Sequence, residues 1–168
     1  MKNLAVLFVL NAFFVSGTAL AFPKVNDSAN FDLAATLSSG QAFSGSFVLS
    51  LTEYNPSSKQ FRQVQSLTVP AAGVDQTSDQ WMNESDLITN AQASAYVSQC
   101  ASSNGTPETI SVPAGTFNTC KTVVNNDNSK GFAWIGVVPF GVVKQDLTDK
   151  ENGMHMILNL KSFKAALE

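Results

Sequence analysis

Residues 100–121 read CASSNGTPETISVPAGTFNTCK. Both cysteines of the chain lie in this stretch, Cys100 at its start and Cys120 near its end. Between them apolar side chains alternate at Ile110 and Val112, Pro113-Ala114-Gly115 supplies a turn, and Phe117 leads into a second run. Period-two alternation on both sides of a Pro/Gly turn is the pattern of a β-hairpin. Proline lacks the N–H that a ladder needs and glycine tolerates a positive φ, so this turn ends one strand and starts the next. Two cysteines allow one intramolecular pairing, and in an exported chain they oxidise. The expected bridge, Cys100–Cys120, pins the end of a helix to the strand after the turn, with a loop-closure contribution of ~3 kcal/mol. The spacing is not the C-x-x-C of a redox pair. Two cysteines and one distant histidine also fall short of a closed metal set, so neither metal nor cofactor is expected.

The N-terminus indicates export. Met1-Lys2-Asn3 is a short basic start, residues 4–15 are apolar except for Asn11, and Ala19-Leu20-Ala21 fits a small-residue cleavage site. Residues 1–21 read as a secretory signal peptide cut after Ala21. The apolar run is shorter than the ~20 residues of a membrane span, and Phe22 rather than cysteine follows the cut, so a lipobox anchor is not expected. Residues 22–168 suit one domain in the periplasm or outside the cell. Loss of Lys2 leaves nine basic against thirteen acidic side chains, a formal charge of −4. There is no basic stripe to meet nucleic acid. Asn83-Glu84-Ser85 and Asn104-Gly105-Thr106 match glycosylation sequons, which matter only in a eukaryotic source.

The clearest strand is residues 43–54, with Phe43, Gly45, Phe47, Leu49 and Leu51 on one face and serines and threonine on the other. Asn55 to Lys59 is a turn by composition, residues 61–69 return as a second strand, and Pro70 stops it. Residues 22–40 fit either a short helix or a first strand, and residues 71–83 read as a polar connection carrying Trp81. Residues 86–100 space Leu87, Ile88, Ala91, Ala95 and Tyr96 as a helix would, with Ser85 as its N-cap and Asn104-Gly105 as its stop. Strands follow at 108–112, 117–124, 132–138, 142–147 and 154–160. The expectation is mainly β (α+β): seven or eight strands in an antiparallel meander, one helix, no repeats.

Val112-Pro113-Ala114-Gly115-Thr116-Phe117 followed by Thr119-Cys120-Lys121, with a later Trp134 strand running into Pro139-Phe140-Gly141-Val142-Val143-Lys144, resembles a motif of exported bacterial β-proteins of the DUF3108-like group. The resemblance covers roughly residues 88–160. It implies a single curved antiparallel sheet packed on one helix, similar to the LolA/LolB half-barrel, and it implies no catalytic residues.

Catalytic sets are hard to assemble here. His155 is the single histidine, no G-x-S-x-G elbow exists, and no cysteine is expected free. Met154-His155-Met156 carries copper-type ligands, but a strand sends His155 to the face opposite the methionines, so core packing is the better reading. Asn125 to Ser129 lacks the ligand order of a calcium loop and reads as a turn. Asp146, Asp149 and Glu151 read as a solvated turn. A half-barrel leaves one face open, so Trp81, Tyr96, Trp134 and Phe140 are candidate ligand-binding residues. The functional expectation is a non-enzymatic exported protein that takes an apolar, lipid-like ligand or a cell-envelope component in the concave face. The alternative is a structural or adhesive envelope module acting through an exposed patch or sheet edge.

Overall fold

The computed structural model describes residues 22–166. The signal-peptide expectation falls on residues 1–21 and lies outside them. Nine strands form: β1 Ser28–Thr36, β2 Ala42–Asn55, β3 Gln60–Val69, β4 Val74–Asn83, β5 Thr106–Val112, β6 Gly115–Asn125, β7 Ser129–Ile135, β8 Val142–Asp149 and β9 His155–Lys164. One α-helix, α1 Asn90–Ser98, lies between β4 and β5. All strands join one antiparallel sheet in the order β4-β3-β2-β1-β9-β8-β7-β6-β5. The sheet is therefore two meanders, not one. The first four strands and the last five are joined where β1 pairs with β9, from Thr36 opposite His155 to Ser28 opposite Lys164.

Period-two chemistry explains the layers. Phe43, Gly45, Phe47, Leu49 and Leu51 of β2 share a face with Phe31 and Leu33 of β1, which stand directly opposite Phe47 and Gly45. On that face Ala29, Phe31, Leu33, Val69, Val143, Leu158 and Leu160 are buried in the main core cluster. Gly45 is required there, because a Cβ would strike the Thr68 carbonyl oxygen. The same face is concave. The β5–β6 turn reaches back to β9, where the Ala114 N–H donates to the Leu160 carbonyl at 3.0 Å, although β7 and β8 intervene in the ladder. Phe117 and Phe163 meet beside it, with ring centroids 6.2 Å apart. β4 and β5 stay unpaired to each other, so the half-barrel is open.

One end of the concave face is plugged. Val138 of the β7–β8 loop is fully buried, and Phe140 in the same loop packs against both the main core and a second cluster of Leu51, Phe61 and Leu87. Phe140 has φ +64°, a conformation that costs a bulky residue ~1–3 kcal/mol; joining the two clusters offsets that cost. At the same end, where Cys120 stands opposite Ile135, the last residue of β7, the fully buried Cys100 and Cys120 form the expected disulfide with Cα atoms 5.3 Å apart. It ties the segment just after α1 to β6. The VPAGTF turn is a two-residue hairpin connection with Val112 opposite Gly115, and Gly115 has φ +133°.

Two expectations are corrected and one open alternative is resolved. The helix starts at Asn90, not near Asp86. Thr89, not Ser85, is its cap: Thr89 Oγ1 accepts from the Gln92 N–H while Gln92 Oε1 accepts from the Thr89 N–H. That reciprocal capping box outcompetes the apolar pair Leu87-Ile88 in setting the boundary. Residues 74–83, expected as a connection, are strand β4 in continuous register with β3. The ambiguous N-terminal stretch supplies β1, a central strand, which brings the count to nine.

Candidate functional site

Across the middle of the concave face lies a cleft of about 230 Å³. Phe31, Phe47, Leu49, Val142 and Leu158 give it an apolar floor, and Gln63, Gln65 and Gln145 give it an amide rim. The lining comes from five adjacent strands, β3, β2, β1, β9 and β8, so the cleft straddles the β1–β9 junction. Gln80 on β4 donates from Nε2 to Gln63 Oε1 at 3.2 Å and holds that amide in place. No lining side chain is titratable. Such a surface offers burial worth ~25 cal/mol per Å² of apolar ligand area. Its amides can donate and accept hydrogen bonds without contributing charge. The volume is below the ~300–1,000 Å³ of drug-sized pockets, which fits a chain-like segment better than a bulky molecule.

The four aromatic candidates occupy separate places. Trp81 stands on β4 opposite Arg62, on the face away from the cleft, and is 45% exposed. Trp134 stands on β7 opposite Lys144, also on the outer face, because the adjacent Gln145 points into the cleft. The Trp134 ring lies between Lys121 and Lys144, with ammonium-to-centroid distances of 5.1 and 4.8 Å. Its Nε1–H donates to Glu108 Oε2 at 2.7 Å. That hydrogen bond, helped by the charge of Lys121, holds the Glu108 carboxyl below its usual range. Tyr96 is half-buried on α1. Phe140 borders a void of only about 10 Å³ with Phe22, Leu51, Leu87 and Ile88, room for no more than one water. Among the described residues no ring contact joins any two of the four.

The polar candidates resolve similarly. His155 Nε2 and Asp146 Oδ1 pair at 2.7 Å on the outer face, with both side chains partly exposed. Met156 packs against the core cluster, while Met154 precedes β9. Asn126 Oδ1 accepts from the N–H groups of Asn128 and Ser129, and Asp149 Oδ1 from those of Glu151 and Asn152, so both loops use their polar side chains to build turns. No helix among the described residues is long and apolar enough to cross a membrane.

Sequence reasoning missed the cleft glutamines. A signal was present: Phe61, Gln63, Gln65, Leu67 and Val69 share one face of β3, and two amides interrupt a face that otherwise reads as apolar.

The molecule thus belongs to the class of open antiparallel half-barrels that pack one helix and keep an apolar cleft on the concave side. No family model and no curated protein matches the chain. Among solved structures it is similar to a protein named as exported, of YmcC-like fold, from Bacteroides fragilis: 12% identity, 87% of this chain and 99% of that one, TM-score 0.46. It is also similar to a protein named as a lipoprotein from Parabacteroides distasonis, at 12% identity over 85% and 97% of the two chains, TM-score 0.40. A third is MucB of Pseudomonas aeruginosa, solved with MucA, at 10% identity over 84% of this chain and 53% of that one, TM-score 0.45. This chain therefore spans about half the length of that structure.

Proposed function

We propose that this is a non-enzymatic protein of the periplasm or the cell exterior that binds an apolar, lipid-like molecule in its concave face. The observation that carries the reading is the cleft: five apolar side chains below three uncharged amides, open to solvent along a curved sheet. The export pattern of residues 1–21 supports the compartment. The test is direct. Titration with the neutral apolar probe N-phenyl-1-naphthylamine should give saturable fluorescence, and Leu49→Trp with Gln65→Trp, which fill the cleft, should abolish it. Native mass spectrometry of protein taken from its own compartment should show a bound lipid mass. A protein that binds no probe, or binds it equally with the cleft filled, refutes the reading.

A second reading rests on the outer face. Val123 and Phe132, 68% and 41% exposed, are direct cross-strand partners on β6 and β7. They border an open depression with Lys130, Asp146 and Thr148. Such a pair suits a structural or adhesive module that works through an exposed patch. Val123→Ser with Phe132→Ser discriminates: loss of attachment to envelope fractions, with probe binding intact, favours this second reading.

A further inference from the structure

We propose that β4 is a pairing edge for a second copy of this chain, joined antiparallel about a two-fold axis at Ser78. The two open edges of the sheet are built differently. β5 is seven residues long, carries Pro107, and turns Ile110 and Val112 into the core cluster. β4 is ten residues long, pairs with β3 without a register shift, and is exposed at every residue from Asp75 to Trp81. Edges are ordinarily blunted by proline, charged side chains, bulges or shortness. β4 contains no proline and no lysine, its ladder has no bulge, and its charges are limited to Asp75 and Asp79. An edge of this length left open is a template for another strand.

The side chains select the occupant. A two-fold pair keeps each face continuous, so residues at equal distances from the axis stand opposite one another. With the axis at Ser78, Val74 meets Met82, Asp75 meets Trp81, Gln76 meets Gln80 and Thr77 meets Asp79. No carboxylates oppose each other, nine residues are in register, and Trp81, the most exposed aromatic among the described residues, is covered. Moving the axis one residue either way sets like charges opposite: Asp75 against Asp79 at Thr77, or Asp79 against its own copy at Asp79. Directly opposed like charges destabilise a sheet pair. The inference is independent of what the concave cleft holds.

Sedimentation equilibrium of the purified protein tests it. A reversible monomer–dimer equilibrium is expected. Thr77→Asp sets two new carboxylate pairs against Asp79 and should raise the dimer dissociation constant about tenfold; Thr77→Lys should lower it by a similar factor. The Thr77 side chain is exposed and bonds only to Ser66 Oγ, at 3.1 Å, so circular dichroism should show both variants folded. Ser78→Cys should link into a disulfide dimer on mild oxidation, while Val74→Cys, roughly 27 Å from its own copy in this register, should not. A protein monomeric at every concentration overturns the proposal. So does a dimer indifferent to both Thr77 variants, or a monomer whose edge is taken up only by a basic peptide.

Discussion

Replacing Gly105 by alanine would drive a Cβ into both sulfur atoms of the Cys100–Cys120 bridge, with the Lys121 carbonyl oxygen 3.1 Å away on another side. The backbone has little room to retreat. The Gly105 N–H donates to the Cys100 carbonyl at 2.9 Å, and Asn104 before it already sits at φ +58°. Overpacking of this kind costs ~1–3 kcal/mol. The bridge spans a sequence separation of 20, and loop closure of that length is worth ~3 kcal/mol against the unfolded chain. In a domain of this size 1 kcal/mol moves Tm by about 2–4 °C, so reduction should lower Tm by ~10 °C and Gly105→Ala by ~3–10 °C. The two effects share their atoms and should not add. In a Cys100→Ala/Cys120→Ala background the sulfurs are gone, and Gly105→Ala should cost less than ~0.5 kcal/mol, a coupling of at least ~0.5 kcal/mol. Urea unfolding of the four proteins measures the cycle. Additivity within error would refute the packing argument. Two alkylated thiols in the unreduced protein would refute the bridge itself.

Thr89→Ala removes one arm of the capping box and should cost ~1 kcal/mol in urea unfolding with an unchanged m-value; no loss would mean the box does not hold α1. Asp27 is almost fully buried, accepting from the N–H groups of Lys24 and Ala166 at 2.7 Å each, and burial raises its carboxyl above its ordinary value of 3.8. The fold therefore prefers it neutral, so its contribution is complete below 3.8 and is lost as pH rises through the folded value. The stability of wild type relative to Asp27→Asn should accordingly fall as pH rises above 3.8, and a flat or rising difference in urea midpoints would contradict this. Glu108 has the opposite sign: its lowered carboxyl stabilises above the unfolded value and is lost as pH falls through the folded one. Trp134→Phe keeps a ring between Lys121 and Lys144 but removes the indole donor, so a carboxyl NMR titration should show the Glu108 pKa rise; no movement would assign the shift elsewhere.

The parts of the fold that were legible had local signals. β2 announced itself through alternation from Phe43 to Leu51, the β5–β6 turn through Pro113 and Gly115, and the bridge through the cysteine count. β4 was not legible because both of its faces are wet. Only Val74 and Met82 of VDQTSDQWMN are half-buried, so the period-two pattern has almost nothing to alternate. The helix boundary was written in Thr89 and Gln92, but apolar spacing at Leu87 and Ile88 drew attention upstream. The site was the least legible part. Aromatic residues were reasonable candidates by size, yet Trp81 and Trp134 fall on the outer face by strand parity alone. The cleft instead gathers residues 31, 47, 49, 63, 65, 142, 145 and 158 from both ends of the chain. No window of sequence contains that juxtaposition, because it exists only after β1 finds β9.

That junction links folding to the proposed function. Each meander is built from neighbouring hairpins with short connections, whereas β1 and β9 are separated by nearly the whole described chain. Closing a long loop costs entropy before any contact offsets it, so the seam is the expensive step of assembly. Asp27 lies at its end, accepting from the Ala166 N–H and so fastening the start of the sheet to its finish. The cleft lies over the same seam, with Phe31, Phe47, Leu49, Gln63 and Gln65 from the first meander and Val142, Gln145 and Leu158 from the second. A ligand there touches both halves and can bind only the joined state. By mass action it stabilises the native sheet by an amount that grows with the logarithm of its concentration over its dissociation constant, and it does so at the seam whose closure spans nearly the whole described chain.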